Sequence, residues 1–468
     1  MNRRSFIKLG AMSPAAILAE KFRKIDLPSI INAYAIILPQ NLIAASGTLW
    51  EDFESTGDWT PEAGTVAANT IQFMNGTQSV KLISYAGATA NMTKKVDWDL
   101  SGDWQQLRFW MYLHNTSLSD YASPTSIMIK LYTTPFSSWF QAWWPQLCIR
   151  HSGWNLFTVP KNYFKVGGGS PRWEYPIERL RFEVRAAPGK VAAVSFDVFE
   201  VGYLCVPAVM MRFDDGYSSQ YAEAFTYMKT RNICGTLYQR GDWIDKGDRI
   251  SSTNLREMQV GGQKPWSPSK RINRGGIISW FEKRERRKHS DWTIGNHTRA
   301  HSVLSELSEP DQEAAIANGK ADLDAFGLPG GKYVAYPEGR WNNDTRIAMY
   351  NLGMLTGASV QHTTAQAETP YPPIVLPSSD LFNIGGTPID ASVSLESAKG
   401  YIDEAIAAGT IISPIFHSIG ENSLDWSLDD FQALIDYIVS KNSQLVSITI
   451  DDLYKLTLGP VSVPVITD

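Results

Sequence analysis

The strongest constraint in this 468-residue chain is a change of hydrophobic rhythm at Pro207. From about Gly47 to Cys205, apolar residues alternate with polar ones. Leu180, Phe182 and Val184 alternate with Arg181, Glu183 and Arg185, and Val194, Phe196 and Val198 with Ser195 and Asp197. A period of two sends successive side chains to opposite faces, so these runs predict half-buried strands. Ile127, Ile129 and Leu131 repeat the pattern beside Lys130, and Asn75-Gly76, Ser101-Gly102 and Pro188-Gly189 supply turns between runs. The region is expected to be an antiparallel β-sandwich, jelly-roll-like, over residues 46–206.

Beyond Pro207 short apolar runs alternate with helical ones. Strands are expected at Ala208–Phe213, Ile233–Tyr238, Trp292–Gly295, Lys332–Tyr336, Met354–Ala358, Ile411–Phe416 and Leu445–Ile450. Between them, Ser308-x-x-Asp311 resembles a capping box opening a helix that stops at Gly327. A second helix from Ser427 places Phe431, Leu434, Ile435, Ile438 and Val439 on one face. About seven β/α units predict a distorted parallel (β/α) barrel over residues 207–457, with a tail at 458–468.

The 43 basic and 48 acidic residues leave a net charge of −5, which offers nucleic acid no electrostatic footprint. No run approaches the roughly 18 uncharged apolar residues of a membrane span, so no stable membrane insertion is expected. The start, Arg3-Arg4-Ser5-Phe6 before the apolar stretch Leu9–Ala19, resembles a twin-arginine export signal. Residues 1–45 are therefore expected to be an export leader and linker, sending the protein to the periplasm, cell surface or exterior. Cys148, Cys205 and Cys234 are too few and too scattered for a disulfide framework and read as buried apolar residues. The run Lys283–Lys288 within the insertion Gly261–Ser290 reads as a solvated face. Ten of the 16 tryptophans precede Pro207, and Trp143 and Trp144, near Trp139, Phe140 and Trp154, form a candidate sugar-stacking platform.

Four groups fall at expected strand C-termini, where barrels keep their chemistry. They are Asp214-Asp215-Gly216, His297-Thr298-Arg299-Ala300-His301, Tyr336-Pro337-Glu338-Gly339 and His417. Two histidines four apart share one face if the chain turns helical after Asn296, and with one carboxylate they make a metal site with open positions. Thr298 stands where a zinc-binding His-Glu-x-x-His helix carries its glutamate, so the base must come from elsewhere. Adjacent carboxylates are too close to act as a glycosidase pair, so one of Asp214 and Asp215 suits the metal and the other the base. A two-histidine, one-aspartate set takes zinc, and equally Co2+, Ni2+ or Fe2+. His114, His151, His289 and His362 lack such a pattern and read as structural.

These residues together resemble the polysaccharide deacetylases with the NodB homology domain, carbohydrate esterase family 4. Met211-Arg212-Phe213-Asp214-Asp215-Gly216 is similar to the family's Thr-Phe-Asp-Asp-Gly motif, and His297 to His301 to its His-Ser/Thr-x-x-His motif. Ala335-Tyr336-Pro337-Glu338-Gly339 resembles a variant of Arg-x-Pro-Tyr-Gly, and Phe416-His417 the late Leu-His motif. The resemblance covers about Pro207 to Leu456 and implies a metal-dependent hydrolase that removes N-acetyl groups from an N-acetylated polysaccharide. It implies that Asp215, His297 and His301 bind the metal, that Asp214 is the base and that His417 is the acid. Tyr336, Pro337, Glu338, Gly339 and Arg340 are then expected around the oxyanion and substrate. The arginine that steadies the family's base falls at Ala335, with Arg340 the substitute on the same turn. Asp380 and Asp390 are the candidate carboxylate partners of His417. Two other functions fit the same residues: an amidase acting on a small non-sugar amide, and a carbohydrate-binding protein with an inactive barrel.

Overall fold

The computed structural model describes residues 48–102, 104–114, 125–134, 137–145, 153–203, 207–260, 292–360, 374–376, 378, 380–420 and 426–457. The expected leader, the basic run at 283–288, Cys148, Cys205 and three of the unpatterned histidines lie outside them. The first region holds β1 (Thr48–Glu51), β2 (Thr60–Ala63), β3 (Thr65–Asn69), β4 (Ser79–Tyr85), β5 (Thr89–Trp98) and β6 (Gln106–Leu113). It continues with β7 (Ser126–Thr133), β8 (Ser138–Pro145), β9 (Gly153–Pro160), β10 (Lys165–Gly168), β11 (Ile177–Arg185) and β12 (Val191–Tyr203). They form two antiparallel sheets, one ordered β3-β4-β12-β6-β9 with β1 against β12, the other β10-β8-β7-β11-β5-β2.

Alternation explains the core between these sheets. Ile127, Ile129, Leu131, Leu180, Phe182 and Val184 face inward and meet Val80, Leu82, Phe109 and Phe196, all fully buried. The rhythm slips between Asp197 and Phe199, where the register shifts and Val198 adopts φ 48°. Phe199, not Val198, takes the inward place. Ser195 and Asp197, expected to face solvent, are buried because Asn69 and His114 bond the Ser195 hydroxyl while the Met74 and Asn75 N–H groups cap Asp197.

Trp143 and Trp144 do not form one platform. Neighbours on a strand point to opposite faces. Trp144 is 3% exposed and packs on Phe109 and Phe157 in the core. Trp143 is half-buried on the outer face, opposite Met128 and in line with Gln141 and Trp139.

The second region opens with β13 (Ala208–Val209) and β14 (Met211–Asp215), followed by β15 (Gly235–Gln239), β16 (Thr293–Asn296), β17 (Tyr333–Ala335), β18 (Thr356–Val360) and β19 (Ile384–Pro388). β20 (Ile411–Ile412), β21 (Pro414–Phe416) and β22 (Val446–Ser447) complete it. A closed parallel barrel runs β14-β15-β16-β17-β18-β19-β21, with β20-β13-β22 as a separate small sheet.

The expected barrel is present, but one strand differs. Leu445–Ile450 contributes only β22, outside the barrel, and its place is filled by β19. Ile384-Gly385-Gly386-Thr387-Pro388 has two glycines and a proline, residues that strands disfavour. In the structure a side chain at Gly386 would press into Ile415, with a Cβ only 2.7 Å from its Cγ1, so glycine permits the close approach of β21. The expected helices run Glu309–Ala325 and Leu428–Ser440, the second burying Phe431, Leu434, Ile435 and Ile438. At the first, the Ser308 hydroxyl bonds the Asp311 carboxylate rather than capping a backbone N–H. The sandwich meets the barrel through Gln106, whose amide donates to the Gly409 carbonyl at 2.6 Å, and Arg108, which donates to the Leu376 carbonyl.

Candidate active site

β14 carries Arg212, Asp214 and Asp215 to the C-terminal end of the barrel. Asp215 leaves regular strand geometry at φ 76°, and Gly216 follows at φ 100°, where a Cβ would lie 2.1 Å from the Gln239 side chain. Glycine is therefore required directly after the two carboxylates.

The segment after β16 does not turn helical; it forms a turn. Thr298 and His301 both adopt left-handed φ, 60° and 56°, and the turn brings the two imidazoles to 4.8 Å between centroids at 80°. With Asp215 and Glu338, four of the nine non-glycine residues at positive φ among the described residues lie at this rim. Such backbone is costly and persists where surrounding packing enforces it.

The three side chains converge. Nε2 of His297 and Nε2 of His301 each lie 3.6 Å from Oδ1 of Asp215, and one donor atom from each residue falls within 4.8 Å of the others. Donors around a tetrahedral zinc stand about 3.3 Å apart, from metal–ligand distances near 2.0–2.2 Å. Oδ1 of Asp215 is buried with no hydrogen-bond partner, so an oxygen shut off from water is aimed at both imidazoles. Nδ1 of His297 lies 3.0 Å from the Ala335 carbonyl. A carbonyl only accepts, so Nδ1 carries the proton and Nε2 presents its lone pair. Burial pushes His297 down, against the attraction of Asp214 and Asp215, which keeps it in the neutral form that ligates metal. The donor set thus fits a divalent cation.

Asp214 stands apart from this cluster. It is 3% exposed and is gripped by Arg212, with Nε 2.9 Å from Oδ1 and Nη2 2.7 Å from Oδ2. Burial alone would raise its pKa, but the charge and hydrogen bonds of Arg212 carry it below the ordinary aspartate value. His417 is exposed at the end of β21, near enough for its charge to bear on Asp214. The Gln220 amide donates to the backbone carbonyls of both Asp214 and His417 at 2.6 Å, tying the two strand ends together.

Three sequence expectations are corrected here. Arg340 does not reach Asp214: it is exposed and pairs with Glu306 at 2.9 Å and Glu338 at 3.4 Å, because the turn directs it outward. Arg212, on the strand itself, pairs with Asp214 instead. Its signal was available: residues two apart on a strand share a face. Asp380 and Asp390 are also engaged elsewhere, the first by Arg346 at 2.6 Å and the second by Ser392. Among the described residues no carboxylate forms an ion pair with His417. Tyr336 is fully buried with its hydroxyl on the Phe382 carbonyl at 2.8 Å, so it supports the turn and offers no ring to a substrate. Pro337 and Gly339 are buried with it, whereas Glu338, at φ 55°, directs a half-exposed carboxylate to the rim.

Residues 204–357 match the family model described as polysaccharide deacetylase. The Bacillus subtilis (strain 168) protein YxkH, a polysaccharide deacetylase by name, is 23% identical over 160 residues, 34% of this chain. The match spans 47% of that relative, so the chain covers about half the length of the curated relative it matches. Among solved structures, a family 4 carbohydrate esterase from Streptomyces lividans in complex with acetate is 14% identical, with a TM-score of 0.31 over 52% of this chain and 92% of the other. A family 11 carbohydrate-binding module from Clostridium thermocellum, in complex with a mixed-linked tetrasaccharide, is 14% identical, with a TM-score of 0.25 over 34% of this chain and 96% of the module.

Proposed function

We propose, from the premise that residues 204–357 belong to the polysaccharide deacetylase family, that this chain is a metal-dependent hydrolase that removes N-acetyl groups from an N-acetylated polysaccharide. The observation that carries the reading is the unpartnered Asp215 oxygen facing two imidazole nitrogens, beside a second carboxylate held ionised. Asp215, His297 and His301 would hold the metal, Zn2+ or alternatively Co2+, Ni2+ or Fe2+, which when bound polarises an acyl oxygen and acidifies water. Asp214, charged and fixed, accepts the proton of the attacking water. His417, open to solvent on the neighbouring strand, gives a proton to the departing amine, which is otherwise too poor a leaving group for the C–N bond to break. A backbone N–H of the Pro337–Gly339 turn, held rigid by buried Tyr336, suits the developing oxyanion.

On the sandwich, Tyr132, Trp139 and Trp143 share the outer face with Lys130 and Gln141, half-buried rings beside hydrogen-bonding groups. That face replaces the Trp143–Trp144 platform as the surface offered to the glycan chain.

The test is acetate release by the full chain from peptidoglycan, chitin oligomers and poly-N-acetylglucosamine, with zinc, with chelator and with Asp214→Asn. Zinc-dependent release that the variant lacks is the expected result. One tightly held metal per chain without release from any glycan would sink the reading and favour the small-amide or binding-protein function.

A further inference from the structure

We propose that Arg212 is the positioning residue for the general base, holding the Asp214 carboxylate from inside the barrel. The family pattern gives that task to an arginine at the position of Ala335. The inference rests on the assignment of Asp214 as base.

The geometry begins with strand periodicity. Arg212 and Asp214 are two apart on β14, so both side chains leave the strand on the same side. The guanidinium meets the carboxylate as a fork, Nε to Oδ1 and Nη2 to Oδ2, an arrangement that fixes orientation as well as distance. Arg212 is itself immobilised. It is 1% exposed, its Nη1 donates to the Ser359 carbonyl on β18 at 2.6 Å, and its guanidinium carbon lies 5.2 Å from the ring centre of Tyr238 on β15. The Ser359 hydroxyl is in turn bonded to Asn383 at 2.7 Å. One side chain thus links the strand bearing the base to two other barrel strands.

A buried arginine is an expensive way to fill a barrel. Taking the charge out of water is costly and is offset only by a well-aligned partner. Ala335, fully buried, brings no cation, and Arg340 points outward. Among the described residues, Arg212 is the cation in ion-pair contact with Asp214. The fork occupies one lone pair on each oxygen, and an ionised carboxylate has about four such sites, so Asp214 keeps capacity to accept a proton from water.

The experiment uses the full-length chain with Arg212→Lys, Arg212→Met, Asp214→Asn and the double variant Arg212→Met/Asp214→Asn. Each is measured for melting temperature, zinc content, and kcat and KM for acetate release. Arg212→Met should lower the melting temperature by leaving a buried carboxylate unpaired, and the double variant should recover part of that loss. The kcat of Arg212→Met should fall by about 10²-fold, the scale of a misplaced catalytic group, with KM and zinc content close to wild type. Arg212→Lys, which keeps the charge but loses the fork, should lie between. Additive melting shifts would overturn the pair whatever the activity. Wild-type kcat in a folded Arg212→Met chain, or equal loss of kcat, KM and zinc content, would overturn the positioning role. Absence of acetate release from the wild-type chain would instead overturn the deacetylase reading and the positioning role with it, while the melting cycle still reports on the pair.

Discussion

Asp197 in the sandwich and Asp214 in the barrel are both buried aspartates, yet their acidities move in opposite directions. For each, burial is the largest influence and favours the neutral acid. Around Asp197 stand backbone N–H groups of Met74, Asn75 and Val198 and the negative charge of Glu54, and the carboxyl is pushed up to about 6. Against Asp214 stands a full guanidinium, and the carboxyl is held low. Backbone dipoles soften the penalty of burying an acid, whereas a fixed opposite charge reverses it. Asp197 therefore serves the fold, anchoring the loop at residues 74–75 to β12, while Asp214 is kept ionised, as the proposed base must be.

The sharpest way to break this contrast is to neutralise Asp214. Asp214→Asn should reduce acetate release by about 10²–10⁴-fold, the usual contribution of a general base, while zinc content stays near wild type, since the proposed ligand atoms are those of Asp215, His297 and His301. Loss of bound zinc together with activity would place Asp214 among the ligands instead. The sandwich offers its own contrast on β8. Trp144→Ala should destabilise that region by about 3–5 kcal/mol, as removal of a large core aromatic does. Trp143→Ala, on the outer face, should leave the melting temperature nearly unchanged and weaken retention on insoluble polysaccharide. Equal melting losses for the two variants would show that the faces have been misassigned.

How much of this was legible in sequence follows from which forces are local. Alternation in Leu180, Phe182 and Val184 marks the sandwich core directly, because a strand buried on one face has a period of two. The bulge at Val198 escaped, since an inserted residue leaves no mark in residue type. Motif order brought Asp214, Asp215, His297, His301 and His417 to one list, but not their geometry: the turn that converges the histidines depends on left-handed backbone at Thr298 and His301. β19 is not legible because glycines and a proline carry no strand signal unless the neighbour that needs the space is known. The motif contains Arg212 but does not reveal its role, since the partner of a charge is set by which face of the strand meets the barrel interior.

A smaller effect separates the sandwich's own ionisable groups. His114 lies with Nε2 2.9 Å from the Ser195 hydroxyl, and burial, aided by Lys81, pushes it down to about 4. Below its ordinary value of 6.5 the unfolded chain takes up a proton that the folded chain refuses, so stability present above that pH is lost as the pH falls toward 4. Asp197 acts with the opposite sign: its folded carboxyl keeps a proton up to about 6 against 3.8 when unperturbed, so its contribution falls as pH rises through that interval. Thermal melts at pH 7 and pH 5 should show His114→Gln losing less on acidification than wild type, by on the order of 1 kcal/mol after allowing for its partial exposure. An unchanged pH slope would remove His114 from the balance.

The smallest expected effect distinguishes the barrel's two arginines. Arg340 shares the turn beside the site, yet its side chain is 54% exposed and paired with the exposed Glu306 and Glu338. Exposed pairs of this kind contribute about 0–1 kcal/mol and are screened by salt. Arg340→Ala should therefore leave acetate release within about twofold of wild type and barely alter the melting temperature. Arg212 lies at the other extreme, with every donor nitrogen committed inside the barrel. If Arg340→Ala instead cost as much in kcat as Arg212→Met, the turn would have to close over Asp214 during turnover, and steadying of the base would pass from the strand to the rim.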